Sequence, residues 1–233
     1  MRTVAVVLAG GSGLRLGGAV PKQLQLLAGK TLLEHSVAAF SSAPGVDEVI
    51  AVLPAGFVPA GERLLAGHYP KLSGVIAGGQ DRPGSTRAAI ELLSARGADC
   101  DVLFHDAARP LVDQRIIADC VAGLRDCEAL GVVVPTADTI VCLSDGVMAS
   151  IPPRESLGRC QTPQGFRLSV IRRAHERAAA DPAFTPTDDC GIVLRYLPEV
   201  EVRTILGSER NLKITYPGDL RVAESYLADL EPR

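Results

Sequence analysis

The chain has no tryptophan, and aromatic residues make up only 4% of its 233 positions. That scarcity argues against a stacking platform for single-stranded nucleic acid. Neither sign of charge dominates: 24 Lys and Arg face 27 Asp and Glu, for a formal net charge of −3. No global basic field therefore draws in nucleic acid, and any positive charge that matters must be local. No apolar run reaches the roughly 18–20 residues of a membrane span. The apolar residues 4–9 start too early and stop too soon for a signal peptide, and no small-residue cleavage pattern follows them. The expected compartment is the cytoplasm. The six cysteines (Cys100, Cys120, Cys127, Cys142, Cys160 and Cys190) form no C-x-x-C pair and have no histidine cluster beside them. A zinc site is not expected, and reduced thiols are.

Two common phosphate signatures are also missing. In a Walker loop, lysine follows a glycine and precedes Ser or Thr, whereas Lys22 stands between Pro21 and Gln23. The dinucleotide pattern G-x-G-x-x-G fails because Leu16 occupies the position of its last glycine, and a start at Gly10 meets Ser12. What is present instead is an apolar run, Val4 to Leu8, that enters Ala9-Gly10-Gly11-Ser12-Gly13-Leu14-Arg15 and then Pro21-Lys22-Gln23. Glycines let the backbone approach a ligand closely. Successive N–H groups in such a loop make an anion-binding concavity, and Arg15 and Lys22 add fixed charge where phosphate oxygens lie. The combination asks for a polyphosphate, most simply a nucleoside triphosphate. The competing reading is a tight strand-to-helix turn with incidental surface cations.

The 47% apolar content is ample for one α/β domain or a domain plus an appendage. Strand-like runs at 3–8, 46–53, 73–77, 101–105 and 131–135 alternate with helical patterns at 31–41, 82–95 and 114–129. This alternation predicts an α/β fold, a Rossmann-like, mostly parallel sheet with helices on both faces. Ligands of such sheets bind beyond the carboxyl ends of the strands. Residues 140–143 and 146–151 read as two short strands around the turn signal Ser144-Asp145-Gly146. They make residues 136–161 a protruding β-hairpin arm, of the kind that docks on a partner subunit, within a single domain spanning 1–233.

Asp106 follows the apolar run Val102-Leu103-Phe104. A carboxylate at a strand end near phosphates suits Mg²⁺, which takes few protein carboxylates and completes its shell with phosphate and water. The alternative is a turn or helix-capping aspartate. Arg109 clamps an anion or pairs with Asp106. Gly78-Gly79-Gln80-Asp81-Arg82-Pro83-Gly84-Ser85 opens a helix, whose N-terminus and Ser85 hydroxyl either meet a base or phosphate or serve as ordinary capping. Lys213, in the strand-like run Asn211-Leu212-Lys213-Ile214-Thr215, either snorkels or stabilises charge developing in phosphoryl transfer.

Assembled, these segments resemble the cytidylyltransferases that attach CMP to a polyol phosphate. The resemblance runs nearly the whole length. It includes Gly78-Gly79 through Ser85, His105-Asp106-Ala107-Ala108-Arg109-Pro110, Asp138-Thr139, Gln161-Thr162-Pro163-Gln164, Thr187-Asp188-Asp189 and Asn211 to Thr215 besides the opening loop. One branch of that family acts on 2-C-methyl-D-erythritol 4-phosphate in isoprenoid synthesis, the other on ribitol 5-phosphate in teichoic acid synthesis. The resemblance implies that Arg15, Lys22 and Lys213 stabilise the pentacoordinate phosphorus. It implies that Ala9, Gly10, Gly11, Ser12, Gly13, Gly79, Arg82 and Ser85 hold CTP, and that Asp106 serves Mg²⁺ and the acceptor. A homodimer is implied in which the arm carries Thr139 and Arg154 into the neighbour's acceptor pocket, near Arg109, Thr162 and Thr187. The absence of a lysine after Asp138-Thr139, together with Cys190 after Asp188-Asp189, leans toward ribitol. The His105-to-Pro110 segment and the chain length lean toward methylerythritol; the residues balance, and methylerythritol is the acceptor expected here because it is the more widespread activity of the family. A sugar-phosphate nucleotidyltransferase and a nucleotide-binding protein without chemistry are the rival classes.

Overall fold

A computed structural model of the chain describes residues 1–10, 22–181, 183–184 and 186–229. Three six-residue strands form its centre: β1 (Thr3–Leu8), β4 (Glu48–Leu53) and β6 (Asp101–Asp106), each buried along its whole length. Their near-continuous apolar runs are what strands covered on both faces require. With β5 (Leu72–Ala77), β7 (Ala129–Pro135), β10 (Gly158–Arg167) and β11 (Val202–Leu206) they make a seven-stranded sheet in the order β11-β7-β10-β6-β1-β4-β5. All neighbours pair in parallel except β10, which runs antiparallel to both β6 and β7. The Rossmann-like, mostly parallel sheet expected from the sequence is the sheet found.

Successive strand residues point to opposite faces, so the sheet splits the core in two. On one face Val4, Val6, Val102, Phe104 and Phe166 pack under α3 (Arg82–Ser94), α5 (Leu168–Ala179) and α6 (Asp189–Tyr196). On the other, Ala5, Val7, Val49, Ala51 and Leu103 pack under α1 (Leu32–Ser42), α2 (Val58–Leu65) and α4 (Gln114–Gly123). A short hairpin, β2 (Leu26–Leu27) with β3 (Lys30–Thr31), leads into α1, and α7 (Pro217–Ala228) closes a small third cluster over Leu27, Leu32 and Ile214. The helix starts are written locally. Thr31 Oγ1 accepts from Glu34 N while Glu34 Oε2 accepts from Thr31 N, a capping box. Asp81 and Asp113 cap α3 and α4 through Gly84 N and Ile116 N.

Three expectations change. The helix read from 114 to 129 ends at Gly123, and Ala129 already opens β7. A Cβ on Gly123 would lie 2.9 Å from Leu130 Cδ2, so the helix end sits hard against β7, and the chain turns back through Arg125 and Asp126. Residues 212–215 are irregular rather than a strand: Ile214 N donates to Ala108 O at 2.8 Å, and its side chain enters the third cluster. The arm is a hairpin as expected but shorter, β8 (Cys142–Ser144) with β9 (Val147–Ser150). Asp145 and Gly146 both take positive φ, 51° and 79°, as a two-residue turn with right-handed strand twist demands.

The register aligns the functional ends. Leu8 pairs with Asp106 and with Val52, and Val52 with Ile76. Ala9, Asp106 and the Gly78–Gly79 loop therefore leave the sheet at one edge, with β10 inserted beside β6 to bring Thr162 there. The insertion is tight: a Cβ on Gly165 would sit 2.8 Å from Leu130 Cδ1, 3.0 Å from Leu103 Cδ2 and 3.1 Å from Leu124 Cδ1. Gly165→Ala should lower unfolding free energy by about 1–3 kcal/mol through overpacking, read as a lower urea midpoint at constant m-value. An unchanged midpoint would show that these leucines yield freely.

Candidate active site

Asp106 ends β6 at the carboxyl edge of the sheet, with its side chain 10% exposed. Two cations grip it. Arg82 Nε, from the first turn of α3, donates to Oδ1 at 3.2 Å, and Lys213 Nζ donates to Oδ2 at 2.7 Å. Burial alone would raise the carboxyl pKa, but Arg82, Lys213 and the charge of Arg109 outweigh it and hold the group well below the usual carboxylate range. The Asp106 carboxylate is thus ion-paired, while its backbone carbonyl opens the turn to Arg109. Arg82 also donates through NH1 to Asp189 Oδ2 at 2.8 Å, while its NH2 is buried without a hydrogen-bond partner among the described residues. Burial opposes its charge, yet Asp189 and Asp106 raise its pKa further.

Arg109 meets Asp106 only through the backbone, its N–H donating to Asp106 O at 2.9 Å. Its guanidinium donates to two backbone carbonyls, Asn211 O at 2.8 Å and Cys160 O at 3.4 Å, which ties the 105–110 loop to β10 and to the Lys213 segment. Burial depresses its pKa. Thr162 lies against Asp106 from the other side: its Oγ1 accepts Asp106 N at 3.0 Å and is 3.1 Å from His105 Nδ1. His105 Nε2 donates to Arg109 O at 3.0 Å, so in the neutral ring Nδ1 accepts and the Thr162 hydroxyl donates to it. Asn211 Nδ2 holds Thr162 O at 2.8 Å.

Ala9 is buried and donates its N–H to Val52 O at 2.8 Å, so β1 continues one residue past its pairing with β6. Gly10 and Gly78 leave room for Ser85: a Cβ on either would collide with its hydroxyl. The Ser85 O–H donates to Asp81 O at 3.0 Å, inside the first turn of α3. Gly79 crosses the Gly84 backbone, where a Cβ would lie 2.7 Å from Gly84 Cα. Lys22 opens a short 3-10 turn, Lys22–Leu24. Gly11, Ser12, Gly13 and Arg15 lie outside the described residues. On the arm, Arg154 NH2 donates to Thr139 Oγ1 at 3.1 Å, so these two residues meet each other rather than Asp106. Arg154 lines a groove of about 800 Å³ with Val133, Thr136, Leu157 and Leu206. Thr187 immediately precedes Asp188, the N-cap of α6.

Four buried polar residues at the site were not singled out as site residues from sequence: His105, Gln164, Asp189 and Asn211. All stand within segments that carry the family resemblance, so the signal was adjacent. A fifth, His175, comes from an amphipathic helix with no motif at all. Among the described residues no cluster of three or more His, Cys, Asp or Glu is placed to hold a metal ion, and the cysteines are free thiols. The site offers a cation-flanked carboxylate, a glycine-lined strand exit and a helix N-terminus. Together they suit an anionic ligand whose charge needs stabilising rather than covalent attack.

The sequence model of the IspD family, 2-C-methyl-D-erythritol 4-phosphate cytidylyltransferase, matches residues 3–229. A protein of that name from Thermobifida fusca (strain YX) is 51% identical over 232 residues, covering 97% of this chain and 93% of the relative. A bifunctional ribulose 5-phosphate reductase/CDP-ribitol pyrophosphorylase of Haemophilus influenzae is 36% identical, covering 96% of this chain and 48% of that protein. The crystal structure of a 4-diphosphocytidyl-2C-methyl-D-erythritol synthase from Anaerococcus prevotii DSM 20548 matches with a TM-score of 0.85 at 25% identity, covering 97% of this chain and 98% of that one.

The environment of His105 sets a pH dependence. Burial, opposed by the Arg109 carbonyl and the charge of Asp106, pushes its pKa down to about 4. The unfolded chain, near the ordinary 6.5, therefore binds more protons than the folded one between about pH 6.5 and about pH 4. Stability should fall as pH drops through that window, by up to about 3 kcal/mol, and His105→Gln should flatten the slope. Urea unfolding at a series of pH values checks this; an equal slope in the variant would assign the loss elsewhere.

Proposed function

The chain belongs to the 2-C-methyl-D-erythritol 4-phosphate cytidylyltransferase family, and from that premise we propose how its residues divide the work. The reaction transfers CMP from CTP to 2-C-methyl-D-erythritol 4-phosphate and releases pyrophosphate. An oxygen of the acceptor phosphate attacks the α-phosphorus, and negative charge builds on the non-bridging oxygens. No covalent intermediate is needed, so catalysis rests on positioning and electrostatics. The observation that carries the assignment of roles is the Lys213–Asp106–Arg82 grip at the end of β6, next to the glycine-lined exit of β1.

Lys213, held by Asp106 with its side chain 44% exposed, is the described cation best placed to stay at the cleft and meet developing charge. Lys22 and Arg15, which follow β1 in the sequence, bring further positive charge. Ala9, Gly10, Gly11, Ser12, Gly13 and Gly79 cradle the nucleotide by backbone, with Arg82 and Ser85 shaping the wall. Arg109, Thr162 and Thr187 set the acceptor side. Ser85 and Thr162 do this through shape and positioning, since their hydroxyl protons are engaged with Asp81 O and His105.

Asp106 fits a Mg²⁺ that arrives with the triphosphate: one carboxylate, held ionised by its cations, with oxygen lone pairs left over. It does not fit an all-protein metal cage. When bound, Mg²⁺ supplies neutralisation of phosphate charge. The arm suits a homodimer contact, because Leu143, Val147 and Met148 are each at least 60% exposed and Arg154 waits beside Thr139. No described helix is long and apolar enough to cross a membrane, and a cytoplasmic location is proposed.

Pyrophosphate release with Mg²⁺ and CTP should be strong with 2-C-methyl-D-erythritol 4-phosphate and weak with D-ribitol 5-phosphate; the reverse preference would overturn the acceptor. Lys213→Ala should lower kcat by a factor corresponding to about 3 kcal/mol or more with CTP binding nearly intact. Near-normal kcat would remove Lys213 from the mechanism. Arg154→Ala should raise the acceptor KM, and mixing it with Lys213→Ala subunits should restore part of the activity. A monomer by light scattering, or no rescue, would refute a shared site.

A further inference from the structure

Helix α6 is preceded and begun by adjacent carboxylates that the fold employs differently. Asp188 is the N-cap, its Oδ1 accepting Gly191 N at 2.8 Å. Asp189, one residue on, has no exposed surface. A carboxylate in a first helical turn gains from the helix dipole, but that gain is available at the surface. Desolvation outweighs it unless the buried charge is well paired.

Asp189 is paired on both oxygens. Oδ2 takes Arg82 NH1 at 2.8 Å and lies 3.4 Å from the Thr86 hydroxyl. Oδ1 accepts from His175 Nε2 at 3.1 Å, and the Asp189 backbone N–H donates to Gln164 Oε1 at 3.1 Å. Arg82 meanwhile uses a different nitrogen, Nε, to hold Asp106. Two carboxylates thus share one guanidinium through different nitrogens, one facing the cleft and one sealed behind it.

We propose that Asp189, backed by His175, is a positioning residue for the transfer: acting through Arg82, it keeps Asp106 available to Lys213. Arg82, Lys213, Asp106 and Asp189 form a neutral set. Without the Asp189 charge, Arg82 has Asp106 as its only ionic partner among the described residues, and a guanidinium facing one carboxylate prefers the bidentate arrangement. That arrangement draws both Asp106 oxygens toward Arg82 and weakens the hold of Oδ2 on Lys213 Nζ. The lysine then loses its fixed position while CTP and acceptor contacts remain. The adjacent carboxylates of the Thr187-Asp188-Asp189 segment are therefore a cap and a brace.

The inference rests on the cytidylyltransferase reading, and the experiment separates the two. Asp189→Asn in the full chain should lower kcat at least tenfold while KM for CTP and for 2-C-methyl-D-erythritol 4-phosphate each stay within threefold. Because Asp189 acts only through Arg82, adding Asp189→Asn to Arg82→Gln should cause no further loss. A merely structural role would lower thermal stability and leave kcat per folded molecule unchanged. Folded Asp189→Asn with kcat within twofold of the parent, or losses that multiply in the double variant, would overturn the proposal. If circular dichroism shows Asp189→Asn unfolded, His175→Gln carries the same test: a several-fold lower kcat with unchanged KM is expected, and an unchanged kcat overturns it. The Arg82 Nε–H resonance in ¹H–¹⁵N spectra reads the brace without turnover. It should be slow to exchange in the parent and shifted or lost in Asp189→Asn. A parent inactive with both substrates would fail the family reading alone, and an identical Arg82 resonance in the variant would fail the brace.

Discussion

A carboxylate held between two cations at the end of β6 organises this molecule. Asp106 joins the start of α3 through Arg82, the irregular segment after β11 through Lys213, and β10 through the Thr162 hydroxyl that accepts its N–H. Each partner comes from a distant part of the chain, at sequence separations of 24, 107 and 56 from Asp106. Burying one such charge unpaired would be prohibitive. Its pairing therefore ties correct chain folding to correct assembly of the candidate site.

The sheet supplies the rest. Four parallel strands, β6, β1, β4 and β5, deliver their carboxyl ends to one edge, where parallel sheets bind ligands. The antiparallel β10 then threads between β6 and β7. Its polar residues Gln161, Thr162 and Gln164 are buried yet satisfied by Ser208 O, His105, Asp188 and Asn211. The neutral His105 ring bridges Arg109 O and Thr162, so a single buried side chain sets both the loop that carries Arg109 and the hydroxyl that fixes the Asp106 backbone.

Much of this was legible in the sequence where the signal is local. The apolar runs Val4–Leu8, Val49–Leu53 and Val102–Phe104 announce buried parallel strands, and Asp145-Gly146 announces the arm. Strand β10 was not legible: Gly158-Arg159-Cys160-Gln161-Thr162-Pro163-Gln164 has no apolar alternation, and a proline argues against an interior strand. Only partners remote in sequence justify it. The run around Lys213 reads as a strand in the sequence, yet it is irregular because Ile214 is buried by α7 and the β2–β3 hairpin rather than by a sheet. Asp189 and His175 were invisible for the same reason as β10. An acidic residue opening a helix reads as a surface charge until the Arg82 side chain, 107 residues away, is found against it.

The most direct test of the central claim is a ¹³C titration of the Asp106 side-chain carboxyl in the intact protein, compared with exposed aspartates of the same chain. Held by Arg82 and Lys213, Asp106 should remain ionised at pH values where the exposed aspartates have already protonated, up to the onset of acid unfolding. Protonation of Asp106 together with those exposed groups would contradict the account and leave the site without its organising charge.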